Sequence, residues 1–274
     1  MTQTSNCWPR GLRPVARVLF TILSGLLAAG CASKPIAAPT RVETPEQKHA
    51  RAAAEIEANP VTFMRQTADR VAKMEQYHVT FYRQERNGIP PQLGPMEEIR
   101  ASFRKQPFSV KFAWESQDMP YFESVYVQGQ NNNMLIVRER KGALPFLPPT
   151  VRIVDVMFPV KIGKSKNPIT DFGFAQLMQR SLLPFDDPDI VKVMTIKYEG
   201  LVNLEPLNRP VYYLRIDRPK TKSIVYTRQD LYFDADTLLP AGTDLYLPGG
   251  VLDVRYRYKD VDANMHFTDA DFRL

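Results

Sequence analysis

Cysteine is almost missing from this chain of 274 residues: Cys7 and Cys31 are the only two, both close to the N-terminus. A disulfide framework, a thiolate zinc site and cysteine catalysis are therefore excluded from the body of the protein. Histidine is nearly as scarce. His49, His78 and His266 stand far apart and make no His-Glu-x-x-His spacing. No apolar run reaches the ~20 residues that a spanning helix needs. The formal net charge of +6 is too mild to argue for nucleic acid.

Catalytic signatures are missing as well. There is no Gly-x-Ser-x-Gly elbow. Gly163-Lys164-Ser165 echoes a phosphate loop, but the place of its leading glycine is held by Phe158. Lys161, Lys164 and Lys166 read as a solvated basic turn, with contact to anionic lipid headgroups as the functional alternative. Asp171-Phe172-Gly173 spells a kinase metal motif without the catalytic and glycine-rich loops that would go with it, and reads as a helix start. Asp186, Asp187 and Asp189 are interrupted by Pro188 and read as a loop rather than a calcium site. No carboxylate pair is singled out. The expectation is a protein that is not an enzyme and has no cofactor, metal or nucleic-acid partner.

The N-terminus does carry a signal. Arg10, Arg13 and Arg17 precede an apolar run over 18–29, and no acidic residue accompanies them. The run closes on Leu26-Leu27-Ala28-Ala29-Gly30-Cys31. It is too short to span a bilayer and ends in small residues, the layout of a cleaved export signal. The terminal cysteine makes it a bacterial lipoprotein signal, in which Cys31 takes diacylglycerol and becomes the new N-terminus. Each buried methylene is worth about 0.8 kcal/mol and a single chain holds only marginally, so palmitate-like chains in multiple copies are needed for stable attachment. Ala32 and Ser33 follow, with no aspartate. By resemblance to sorted lipoproteins, this implies the outer membrane, periplasmic face. The expected organisation is a signal peptide over 1–30, a Pro-rich flexible tether over 31–45 and a single domain over 46–274.

Periodicity then sets the elements. Residues 46–58 favour a solvated helix. Asn59-Pro60 starts a second helix over 60–75, where Phe63, Met64, Thr67, Ala68, Val71 and Met74 form one apolar stripe. From Tyr77 the period becomes two. Phe108, Val110, Phe112 and Trp114 alternate with polar residues, Val125 and Val127 are read as in phase with them, and turns at Asn87-Gly88 and 129–133 punctuate a meander. Residues 151–159 are apolar without a clear period. Thr170 is the expected cap of a helix over 171–182. Strands resume from Ile190 to Tyr258, and a tail with Phe267 and Phe272 is expected on the sheet edge.

Most of the chain after Cys31 resembles a bacterial family of exported proteins without assigned activity, the DUF1571 proteins. The resembling stretches are IRASFRKQPFSV at 99–110, Trp114, YVQG at 126–129, NPITDFG at 167–173 and FDADTLLP at 233–240. At the level of fold the order of elements resembles the lipoprotein-localisation proteins LolA and LolB. That resemblance implies an α+β, mainly antiparallel fold: an incomplete, half-open β-barrel covered by helices, with an apolar cavity for acyl chains. The expected lining is Phe108, Val110, Phe112, Trp114, Val125 and Val127, with Arg104 at the rim facing an anionic headgroup. The leading expectation is thus a lipid-binding, non-enzymatic outer-membrane lipoprotein. The alternative is an envelope module with a filled core that binds a protein partner.

Overall fold

The computed structural model describes residues 43–140, 148, 150–221 and 224–274. The expected signal peptide, Cys31 and most of the tether lie outside the described residues.

Thr44 caps α1 (Pro45–Ala58) in a capping box with Gln47. Asn59 caps α2 (Pro60–Val71), its Oδ1 accepting from the Thr62 amide at 2.9 Å. Proline opens both helices, where its missing N–H would be unpaired in any case. The first helix, which begins at the last residue assigned to the tether, buries only Ile56. The second buries Phe63, Met64, Thr67 and Val71 along its stripe.

Among the described residues twelve strands form one antiparallel sheet. The first meander is β1 (Gln76–Asn87), β2 (Gln92–Leu93), β3 (Glu97–Arg104), β4 (Ser109–Trp114), β5 (Tyr121–Val127), β6 (Leu135–Glu139) and β7 (Val151–Val154). Three helices follow, α3 (Phe158–Lys161), α4 (Phe174–Leu182) and α5 (Pro188–Val191). The second meander is β8 (Thr195–Leu204), β9 (Arg209–Asp217), β10 (Arg228–Asp234), β11 (Pro240–Leu247) and β12 (Val251–Asp262). The order across the sheet is β7-β6-β5-β4-β3-β1-β12-β11-β10-β9-β8, with β2 set against β1. The first and last long strands therefore meet at the seam, with Phe81 opposite Tyr258. The sheet does not close, since β7 and β8 are its two edges. This is the expected class: a mainly antiparallel, half-open sheet with helices.

Three local expectations are corrected. The aperiodic 151–159 stretch divides into the edge strand β7 and the start of α3. Thr170 lies in a 3-10 turn, Ile169–Asp171, and α4 begins only at Phe174. Gly173 turns the chain between them at φ 128°, where a Cβ would come within 3.1 Å of the Phe103 ring. The tail docks on a face of β4 and β5 rather than an edge, with Phe272 packed against Val125 and Val127.

The pleat sorts side chains between two faces. Inward on β1 stand Tyr77, Val79 and Phe81, then Arg83 and Glu85; β3 places Phe103, Ala101, Ile99 and Glu97 opposite the first four. The inner face is thus apolar at one end and charged at the other. Over the apolar end α2 and α4 fill the core: Phe63 meets Phe233 edge-on at 4.9 Å, and Phe174 lies between Tyr77 and Tyr258 at 4.8 and 5.1 Å. The described residues do not fill the charged end.

Candidate ligand cavity

A cavity of about 480 Å³ lies over that unfilled end, a volume usual for small-molecule sites, roughly 300–1,000 Å³. Its floor is the sheet: Phe81 and Arg83 of β1, Phe112 and Trp114 of β4, Leu135 and Val137 of β6, Val154 of β7, Leu245 of β11, and Tyr256 and Tyr258 of β12. Its cover is Phe158, Pro159 and Ile162, the 164–173 segment, and Leu177, Arg180 and Ser181 from α4. Phe158 and Ile162 line it and are exposed, so the cavity meets solvent there.

The cover is tied to the floor by charged and polar groups. Glu85 accepts from the Lys166 amide at 3.0 Å and from the Tyr256 hydroxyl. Asn167 donates to the same hydroxyl at 3.1 Å. Lys166 pairs with buried Asp253 at 3.0 Å, which also accepts from the Tyr226 hydroxyl at 3.0 Å. Within the cover itself, Arg180 pairs with Asp171 and donates to Asn167 at 3.0 Å. Burial first, and the Glu85 charge second, push the Tyr256 hydroxyl well above its ordinary pKa, so it stays a donor.

On the floor, Arg83 pairs with Glu97 at 2.7 Å, and Trp114 Nε1 donates to the same carboxylate at 2.9 Å. Burial opposes the Arg83 charge, but Glu97 and Glu85 outweigh it and hold its pKa above the ordinary guanidinium value. The indole is thereby fixed with its ring toward the cavity. Among the described residues no group of His, Cys, Asp and Glu is arranged to hold a metal ion.

The residues expected to line a site divide. Phe112 and Trp114 line the cavity. Val110 shares their face but is fully buried in the filled end. Phe108 packs there too, edge-on to Phe103 at 5.7 Å and to Tyr126 at 6.1 Å. Val125 and Val127 belong to the opposite face. The register pairs Val110 with Tyr126 and Phe112 with Ser124, so Val125 and Val127 point outward, under Phe272. Arg104 also points outward, because Phe103 points in. It pairs with Asp269 at 2.8 Å, donates to Ser109 at 3.1 Å and lies 4.7 Å over the Phe272 ring. It fastens the tail and is not at the rim. Missed from the sequence were Arg83, Tyr256, Arg218 and Gln229. The first was legible in principle, since Phe81, Arg83 and Glu85 share one parity of β1.

The profile of one family, described as protein of unknown function (DUF1571), matches residues 74–274. The chain belongs to the DUF1571 family. No curated protein matches it in sequence. This DUF1571 chain is similar to a crystal structure of MucB, with 14% identity and a TM-score of 0.46 over 78% of the chain and 62% of MucB; less than two thirds of that protein's length is spanned. It is similar to the lipoprotein LppX of Mycobacterium tuberculosis, with 10% identity and a TM-score of 0.40 over 73% of the chain and 94% of LppX. A putative outer membrane lipoprotein-sorting protein domain from Vibrio parahaemolyticus is similar at 10% identity and a TM-score of 0.34, over 77% of the chain and 95% of the domain. Likeness this distant says nothing about a ligand.

Proposed function

We propose that this DUF1571 protein is a non-catalytic lipoprotein of the bacterial outer membrane, facing the periplasm, that holds an apolar chain such as a lipid acyl chain in the cavity over β1, β4, β6 and β12. The supporting observation is the mismatch between lining and filling. Phe112, Trp114, Leu135, Val137 and Leu245 face a volume of about 480 Å³ that the described side chains leave open. Apolar surface of this kind gains when another apolar group displaces water from it, by about 25 cal/mol per Å². The reading of a wholly filled core, with function confined to the outer surface, gives this volume no role. Membrane attachment through Cys31 completes the proposal and rests on the N-terminal pattern.

The test is native mass spectrometry of the full chain released from membranes, beside Val137→Trp and Leu177→Trp, which place an indole in the cavity. Lipid bound to the parent protein and lost from both variants is the expected result. Lipid-free spectra of the parent, or lipid retained in both folded variants, would overturn the reading.

A further inference from the structure

Arg218 follows β9 directly and keeps the inward parity of Leu214 and Ile216. It lines the cavity, and its Nη2 donates to Gln229 Oε1. Gln229 is itself held in place: its Nε2 donates to Ser181 Oγ at 2.8 Å and to Thr243 Oγ1 at 3.4 Å. Those hydroxyls give their own protons to the Leu177 carbonyl at 2.8 Å and the Asp230 carbonyl at 2.9 Å. With every donor assigned, the amide oxygen of Gln229 must face Arg218. Neutral groups therefore orient the guanidinium.

A counter-charge is what this guanidinium lacks. The other cavity arginines, Arg83, Arg152 and Arg180, are paired with Glu97, Glu139 and Asp171. Among the described residues no carboxylate lies within ion-pair distance of Arg218, and its buried Nε has no hydrogen-bond partner. Burial lowers its pKa, with no opposing charge to raise it. A desolvated cation without a counter-charge is costly, and an incoming anion offsets that cost through charge-assisted hydrogen bonds.

We infer that Arg218 is an anion-binding post inside the cavity, taking the carboxylate or phosphate head of an amphiphile whose chain lies against Trp114, Phe112 and Leu245. This rests on the proposed apolar-chain site and adds a polarity to it: the head sits by Arg218 and Gln229.

The experiment measures displacement of a fluorescent apolar probe from the full chain by palmitate, by uncharged hexadecanol and by inorganic phosphate alone. It uses the parent, Arg218→Gln, Arg218→Lys and, as a control, Lys164→Gln, an exposed cation of the same lining. Palmitate should bind the parent about tenfold tighter than hexadecanol, the scale of one hydrogen bond to a charged group. The Arg218→Gln change should erase that preference and leave hexadecanol affinity unaltered. The Arg218→Lys variant should keep part of the preference, and Lys164→Gln all of it. Equal palmitate and hexadecanol binding in the parent, or a preference that survives Arg218→Gln, would overturn the anion post while leaving the apolar site standing. A preference lost in Lys164→Gln would also overturn it. Failure of both amphiphiles to bind would remove the apolar site and the post together. Phosphate that binds at Arg218 unaided, with no palmitate preference, would assign the position to a free anion and overturn the amphiphile.

Discussion

The Tyr77 hydroxyl accepts a hydrogen bond from the Phe174 amide at 3.1 Å, and the two rings stack at 4.8 Å. One contact thus anchors the first turn of α4, whose amides have no partner within the helix, to the first strand of the sheet. Tyr77→Phe keeps the stack and orphans a buried amide. The expected loss is about 1–3 kcal/mol, read as a lower urea midpoint at unchanged slope. Unchanged stability would mean the amide finds another acceptor.

On the outer face Asp244 accepts from Arg257 at 2.8 and 2.9 Å and from Arg255 at 3.1 Å, with Asp244 and Arg257 almost wholly buried. Gly242 leaves room for this cluster, since a Cβ there would lie 2.5 Å from the Tyr256 carbonyl and 2.9 Å from Arg257 Cδ. Asp244→Asn leaves two guanidinium groups without their carboxylate. A loss of about 3 kcal/mol or more is expected, and adding Arg257→Met should cost less than the sum of the two single changes. Strict additivity in the double-mutant cycle would show that the pair is not coupled.

His78 sets a pH dependence. Burial, and after it the Arg100 charge, lower its pKa, while Asp262 opposes them; Nδ1 lies 3.1 Å from Ser102 Oγ. Below the ordinary value of 6.5 the unfolded chain takes up a proton that the fold resists. Stability from neutral His78 is therefore present above that pH and lost as pH falls toward the depressed folded value. Denaturation curves across this window should show a shallower acid loss for His78→Gln than for the parent. Identical slopes would remove His78 as the cause.

For the anchor, Cys31→Ser should move the protein from the membrane fraction to the soluble periplasm, because an unlipidated chain has no acyl chains to bury. Fractionation of cells followed by immunodetection reads this directly. Membrane retention of the variant would rule out lipidation at that position.

Much of this architecture was legible along the chain. Asn59 announces a helix start because a cap acts within a few residues of itself. The alternation from Phe108 to Trp114 announces a strand with one apolar face for the same local reason. Assigning that face to a neighbour is another matter. Val125 and Val127 alternate as cleanly as Phe112 and Trp114, yet the register of β4 on β5 sends them to opposite sides of the sheet. A shift of one residue exchanges the faces, and nothing in either strand alone fixes it.

What the sequence determined by itself, then, is local: caps, periods, turns and the pattern around Cys31. The tertiary structure alone decided where the empty space lies. It brought Arg218, Gln229 and Ser181 from three separate elements to one wall and set Tyr256 of the last strand beside Arg83 of the first. A cavity is the region that packing leaves unfilled, and packing depends on the register and crossing of distant segments rather than on any one of them.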